Sequence, residues 1–271
     1  MIRVTGANGF IGQAVLRYCL QHQLDVIGYS RSAPLLSNIV QCEDYASIPR
    51  DGCLIHLAET RTLGALTEQE ARHQSRVSHA LAKAGFSHCV YASSAAVYAP
   101  SAKPIVSAEA PFASHLYARN KLDNEQIFAH AGGTVARISN VYGPGMAMNN
   151  AVSAVLSQCR ARAIEVFNLS AVRDYIWVED VAEILVTMAL TQNTGIHHVS
   201  TGVGTSVSEL VSLATQFAGN HDFTVTERAP QPFSCVVLDS AQTQKCYNWQ
   251  PAVAIADGIE RLVRIQPCAE K

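Results

Sequence analysis

The chain of 271 residues is long enough to bury a substantial core in one large domain or two closely packed ones. Hydrophobic residues make up 48%, charged residues 15%, and the net charge is −2, so electrostatics give no reason to expect nucleic acid or an anionic membrane as a partner. No apolar run reaches the ~18 residues of a membrane span. A strand beginning at Ile2 leaves no room for a signal peptide, so a cytoplasmic protein is expected.

In chain order, "MIRVTG" reads as a strand and "FIGQAVLRYCLQHQ" as a helix. "LDVIGYS", "SNIVQCED" and "GCLIHLA" read as three strands. The linking "SAPLLSN" is too short for a crossover helix, so a loop is expected there. "TEQEARHQSRVSHALAKAG" is helical, with Thr67 and Glu70 in capping-box spacing. The strand "HCVYASS", the helix "HLYARNKLDNEQIFAHAG" and the strand "GTVARISNVYG" follow. Apolar strands alternating with amphipathic helices indicate an α/β fold: a Rossmann-type doubly wound parallel sheet covered on both faces.

The second half is less regular. "NNAVSAVLSQCRARA", "VEDVAEILVTMALTQ" and "VSELVSLATQFAG" read as helices, the last with Ser206 or Ser208 near its start. "IEVFNL", "GIHHVST", "DFTVTER" and "CVVLD" read as strands between them. The expected organisation is a dinucleotide-binding domain over 1–140 and a smaller substrate lobe over 141–271, interleaved with it. The eight cysteines contain no C-x-x-C and several sit in apolar segments, which reads as free buried thiols. The histidines lack metal-ligand spacing, and the neighbours His197 and His198 would point to opposite faces of a strand; no metal site is expected.

"TGANGFIG" places Gly6, Gly9 and Gly12 after a strand and at the start of a helix, with Asn8, Phe10 and Ile11 between them. Glycine permits the tight turn and the close approach of a pyrophosphate, and the helix N-terminus offers N–H groups to it. "YARNK" sets Tyr117 and Lys121 four residues apart, on one helix face. An ammonium beside a phenol favours the phenolate, which suits Tyr117 to acid/base work. Ser93 and Ser94 end a strand at the edge where open parallel sheets bind ligands.

The loop "TGANGFIG", followed by "SSAAVY" and "YARNK", resembles the extended short-chain dehydrogenase/reductases, the NAD-dependent epimerase/dehydratase family. The resemblance implies a catalytic set of Ser94, Tyr117 and Lys121. Its S-x-x-V-Y motif selects Ser94, with Tyr98 as marker, and leaves Ser93 as a turn or capping residue. Tyr117 would move the proton of a substrate hydroxyl or carbonyl, Ser94 would orient that oxygen, and Lys121 would also hold the nicotinamide ribose. "LIHLA" resembles the segment beside the cofactor and implies Leu57 and Ala58 as further cofactor contacts. "RISNVYGPG" implies Asn140 near substrate, and "RDYIWVED" implies Arg173 as a nucleotide-diphosphate ligand. Arg228 is a candidate second arginine, with a solvated loop residue as the alternative reading. Ala95 and Ala96 replace the Asp-Glu pair of the sugar dehydratases, which disfavours elimination. "RAPQPF" lacks the usual R-P-G-D, which leaves nucleotide specificity open.

About 18 residues beyond Gly12, where NAD-preferring members carry an aspartate, "GYSRS" offers Ser30 and Arg31. Serine does not repel a 2′-phosphate and arginine pairs with one. NADP(H) is therefore the preferred reading, with NAD(H) as the alternative. The expected function is an NAD(P)-dependent oxidoreductase acting on a sugar, in particular a nucleotide sugar, as 4-ketoreductase or epimerase. The alternatives are a reductase of small non-nucleotide carbonyls and a vestigial dinucleotide-binding regulator. A homodimer through the helices at "RVSHALAKA" and "LYARNKLDNEQIF" is compatible with the pattern, as is burial in a monomer.

Overall fold

A strand covered on both faces must be apolar at consecutive positions or pair its polar side chains. β1 (Ile2–Thr5) is buried throughout although it alternates Ile2 and Val4 with Arg3 and Thr5, because Arg3 pairs with Asp51 and Tyr29 and Thr5 bonds His56. After it come α1 (Phe10–Gln21), β2 (Val26–Ser30), β3 (Ile39–Gln41), β4 (Cys53–His56), α2 (Glu68–Ala82), β5 (His88–Ser94), α3 (Leu116–His130) and β6 (Thr134–Ile138). The second half contains β7 (Asn140–Tyr142), α4 (Ala151–Leu156), β8 (Ala163–Val166), β9 (Val172–Trp177), α5 (Val178–Thr191), β10 (Gly195–Val199), β11 (Gly204–Ser206), α6 (Val207–Phe217), β12 (Thr224–Glu227), β13 (Cys235–Val236), α7 (Ala241–Tyr247) and α8 (Ile255–Ile265). The computed structural model describes residues 1–59, 66–83, 85–228 and 232–265. Cys268 and part of "RAPQPF" lie outside them; the other cysteines are free thiols.

Seven parallel strands form the main sheet in the order β10-β6-β5-β4-β1-β2-β3. α1 and α5 pack on one face, with Leu16 and Ile184 among the buried residues. α2 and α3 cover the other, with Leu81 and Phe128 in its core. The order reverses between β1 and β4, which opens a crevice at their carboxyl ends. β2 passes to β3 without a helix, as the short connection predicts. Thr67 and Glu70 form the predicted capping box. Ser206, with Glu209, caps α6, which resolves the alternative with Ser208.

The chain re-enters the main sheet late. β10, read from the sequence with the substrate lobe, pairs with β6, and α5 packs beside α1. The smaller sheets are built around β9, flanked by β11, β13 and β7, and from the pair β8–β12. α4, α6 and α8 pack there over Tyr142, Tyr175 and Trp177. The helix expected at residues 149–163 is shorter than its pattern. Past Leu156 the bonds tighten to i→i−3, from Gln158 N–H to Val155 O and from Cys159 N–H to Leu156 O, and the chain turns into β8. β9, β11, α7 and α8 are not among the predicted elements. Among the described residues, no helix is long and apolar enough to cross a membrane.

A buried polar network fixes the end of β5, where the candidate site lies. Arg137 on β6 and Glu125 on α3 form an ion pair at 2.6 Å, their side chains 3% and 4% exposed. Ser93 donates to Glu125 at 2.5 Å, and Arg137 donates to the Tyr98 hydroxyl at 2.5 Å. His198 Nδ1 lies 3.0 Å from the carbonyl of Asp239, an acceptor only, so Nδ1 carries the proton and Nε2 accepts from Tyr98 at 2.8 Å. His197, on the opposite face as expected, packs its ring on Tyr247.

Burial, only partly offset by the bond to Asp239, depresses His198 to about 4. The unfolded imidazole protonates near pH 6.5. His198 is therefore neutral in both states above that pH. Between about 6.5 and 4 only the unfolded state takes the proton, so stability falls as pH falls through this window. At pH 5 the loss attributable to His198 is on the order of 2 kcal/mol. Urea unfolding at pH 7.5 and pH 5 measures it. His198→Gln should remove that share of the pH dependence, and an unchanged pH slope in the variant would refute the assignment.

Candidate active site

The glycine loop is shaped by steric limits. Gly6 has φ +70°, and a Cβ there would lie 3.0 Å from the backbone of Ala58. A Cβ on Gly12 would fall on the carbonyl oxygen of Gly6 and 2.8 Å from the Cα of Ala7. Only glycine lets α1 begin this close to β1. α1 is capped by Gly9 without a side-chain bond and has no acidic residue in its first turn. Its free N–H groups face the cleft and fit a pyrophosphate. The dinucleotide expected from the sequence therefore suits the residues present.

The cleft, about 690 Å³, lies over the topological switch point. Gly6, Asn8, Gly9, Phe10, Ile11 and Gly12 line one end of it, together with Ser30, Arg31, Leu57 and Ala58. Ser30 is buried, its Oγ 2.9 Å from the Asn8 amide nitrogen, whose two N–H groups are shared among Ser30, Ser32 and the carbonyl of Ala33. The Leu35 N–H returns to Asn8 Oδ1. Asn8 thus pins the loop that replaces the crossover helix. Arg31 is exposed, with its guanidinium 5.8 Å from the centre of the Tyr45 ring. Glu70 is nearby: its contacts with Thr67, and more weakly Arg31, hold its carboxyl below the ordinary range.

Ser94, Tyr117 and Lys121 line the same cleft from β5 and α3. Tyr117 is half-buried, and the Lys121 ammonium lies 5.7 Å from the centre of its ring. Ser94 Oγ accepts from Ala96 N–H at 3.2 Å and caps the single turn over Ala95–Val97. The capping role expected of Ser93 therefore belongs to Ser94. Ser93 points instead into the Glu125–Arg137 network, which Ser94, one residue along the strand and on the other face, does not reach. Lys121 donates to the carbonyl of Ala92 at 2.7 Å.

Glu59 is the residue the sequence reading missed. Its carboxylate stands 2.6 Å from the Lys121 ammonium, with side chains 4% and 8% exposed. It also accepts from Tyr91 at 2.8 Å and from the Asn124 amide at 2.7 Å. Burial opposes charge on Lys121, but Glu59 and the neighbouring Tyr117 outweigh it and hold the ammonium above its ordinary range. Burial, reinforced by Glu59, keeps the Tyr91 phenol well above its own, so Tyr91 acts as a neutral donor. The available signal was an acidic residue directly after "LIHLA". Tyr45, Glu70 and His73 also line the cleft and carry no sequence signature.

Of the four substrate-side candidates, Ser94 lines this cleft and Asn140, Arg173 and Arg228 do not. Asn140 is exposed at the start of β7. Arg173, on β9, donates to the carbonyls of Val172 and Ser234 and to Ser234 Oγ. Arg228, following β12, pairs with Glu165 at 2.5 Å and stacks over Phe167 at 5.6 Å.

Sheet order, glycine loop and crevice define an α/β protein of the Rossmann type. A family model described as the NAD dependent epimerase/dehydratase family matches residues 2–202. The chain belongs to that family. No curated protein matches the sequence. Among solved structures, MoeE5 in complex with UDP-glucose and NAD is 20% identical, with 97% of each chain covered and a TM-score of 0.84. The UDP-glucose 4-epimerase of Thermus thermophilus, in complex with NAD, is 21% identical, with 97% of each chain covered and a TM-score of 0.83. The UDP-glucose 4-epimerase of Thermotoga maritima, with UDP-glucose, is 23% identical, again with 97% of each chain covered and a TM-score of 0.83.

Proposed function

We propose that this chain is an NAD(P)-dependent oxidoreductase acting at a hydroxyl or keto carbon of a sugar, in particular a nucleotide sugar, as a 4-ketoreductase or epimerase. The observation that carries the reading is the meeting of Ser94, Tyr117 and Lys121 in the cleft that the glycine loop opens. When bound, the nicotinamide supplies the hydride or accepts it. In this reading Tyr117 passes a proton to or from the reacting oxygen, and Ser94 orients that oxygen. Lys121 keeps a positive charge beside Tyr117. Phe10, Ile11 and Gly12 present backbone N–H groups to the pyrophosphate. Ala95 and Ala96 supply no acid or base for elimination, which favours reduction or epimerisation over dehydration. Arg173 and Arg228 would have to exchange their present protein partners for a diphosphate, so the nucleotide part of the substrate rests on the family and the UDP-sugar complexes of its structural relatives.

The cofactor reading favours NADP(H). Ser30 brings no charge to repel a 2′-phosphate, and the exposed Arg31 can swing from Tyr45 to pair with it. NADPH is expected to bind at least tenfold tighter than NADH, and Arg31→Ala to abolish the difference. Titration of cofactor-stripped protein with both nucleotides measures this. Equal or tighter NADH binding would replace the reading with a retained NAD, and epimerisation would become the leading reaction. Steady NADPH consumption with a keto-sugar identifies a reductase; isomer interconversion without net cofactor change identifies an epimerase.

A further inference from the structure

Glu59 sits where the catalytic set meets the cofactor cleft, and its hydrogen bonds can be counted. A carboxylate offers about four acceptor positions. Among the described residues, three protons reach Glu59: one from Tyr91, shared between the two oxygens at 2.8 and 2.9 Å, one from Asn124 and one from Lys121. One position is left. The Lys121 ammonium has three N–H donors; the Ala92 carbonyl and Glu59 take two of them. One donor is left. Both side chains line the cleft. The buried pair therefore presents one acceptor beside one donor, the complement of a vicinal diol in which one hydroxyl donates and the other accepts.

We propose that Glu59 is a cofactor-positioning residue that, together with Lys121, grips the two hydroxyls of the ribose carrying the nicotinamide. The proposal rests on the dinucleotide reading above and extends it to a residue outside the glycine loop and the Ser94, Tyr117, Lys121 set. Tyr91 and Asn124 lock the carboxylate from behind, and the Ala92 carbonyl locks the ammonium, so little rotamer freedom remains to be lost when ribose binds. Registration of the diol would fix the ring's distance from Tyr117. A purely structural Glu59 would do no more than neutralise Lys121.

The test uses two fragments, ADP and ADP-ribose, titrated calorimetrically into the cofactor-stripped protein. ADP reaches the glycine loop but carries no second ribose; ADP-ribose carries the diol. Wild-type protein is expected to bind ADP-ribose at least tenfold tighter than ADP. Glu59→Gln should erase most of that advantage while leaving ADP affinity within about twofold. Glu59→Asp, which keeps the charge but withdraws it by one methylene, should reduce the advantage too, and it serves if the glutamine variant does not fold. Tyr91→Phe, which keeps the carboxylate but removes one of its braces, should cost less of the advantage than Glu59→Gln does. Equal weakening of both fragments in the Glu59 variants, or no change in either, would overturn the proposal. Failure of the wild type to bind these fragments and their 2′-phosphorylated forms would instead reject the dinucleotide reading itself.

Discussion

Tyr117→Phe is expected to lower turnover by about 10²–10⁴-fold, the usual worth of a positioned general acid/base, while NAD(P)H affinity changes little. The phenylalanine keeps the ring beside Lys121 and removes only the hydroxyl that would exchange a proton with the substrate oxygen. The tyrosine is half-buried, so the loss of its hydroxyl leaves no unsatisfied buried partner and the fold should be unaffected. The decisive measurement is single-turnover hydride transfer, followed by nicotinamide absorbance, alongside cofactor affinity. A variant that retains wild-type turnover would refute the proton-transfer role of Tyr117; absence of hydride transfer in the wild type itself would revive the regulatory alternative.

The largest effect on stability is expected at Glu125. Its replacement by alanine leaves the Arg137 guanidinium buried with, among the described residues, the Tyr98 hydroxyl as its remaining hydrogen-bond partner, and takes the acceptor from Ser93. Breaking a buried pair in this way costs about 3–5 kcal/mol. The double variant with Arg137→Met should recover part of the loss, because it removes the stranded charge as well. Urea unfolding of both variants gives the coupling directly. A loss below about 1 kcal/mol for Glu125→Ala would show that water or a rearranged neighbour solvates Arg137, and that the network does not brace the end of β5.

Legibility in the sequence followed the range of the interaction. The capping box at Thr67, the helixless link before β3 and the apolar runs of β4 and β5 are set by neighbours a few residues away, and each is found where its pattern points. α8 carries an equally local signal in the helical spacing of Ile255, Ile259, Leu262 and Val263, although it is absent from the predicted elements. β10 was visible as a strand, but its pairing with β6 was not, because strand spelling carries no address. The choice between Ser93 and Ser94 followed the same logic. Alternation along a strand says that they face opposite ways and the motif resemblance points to Ser94; the position of Glu125 on a distant helix shows what Ser93 faces instead.

By itself the sequence determined the glycine loop, the spacing of Tyr117 and Lys121, the serine at the end of β5 and the missing carboxylate in "GYSRS", because steric tolerance, helical periodicity and side-chain chemistry are local properties. The tertiary structure decided what surrounds them. It brought Glu59 from the β4 end to Lys121 on α3, stacked Arg31 on Tyr45, turned Arg173 toward Ser234 and bound Arg228 to Glu165. Each of these joins residues on different elements. Their meeting depends on strand order and packing, which arise from burying the whole apolar surface at once and leave no mark at any single position.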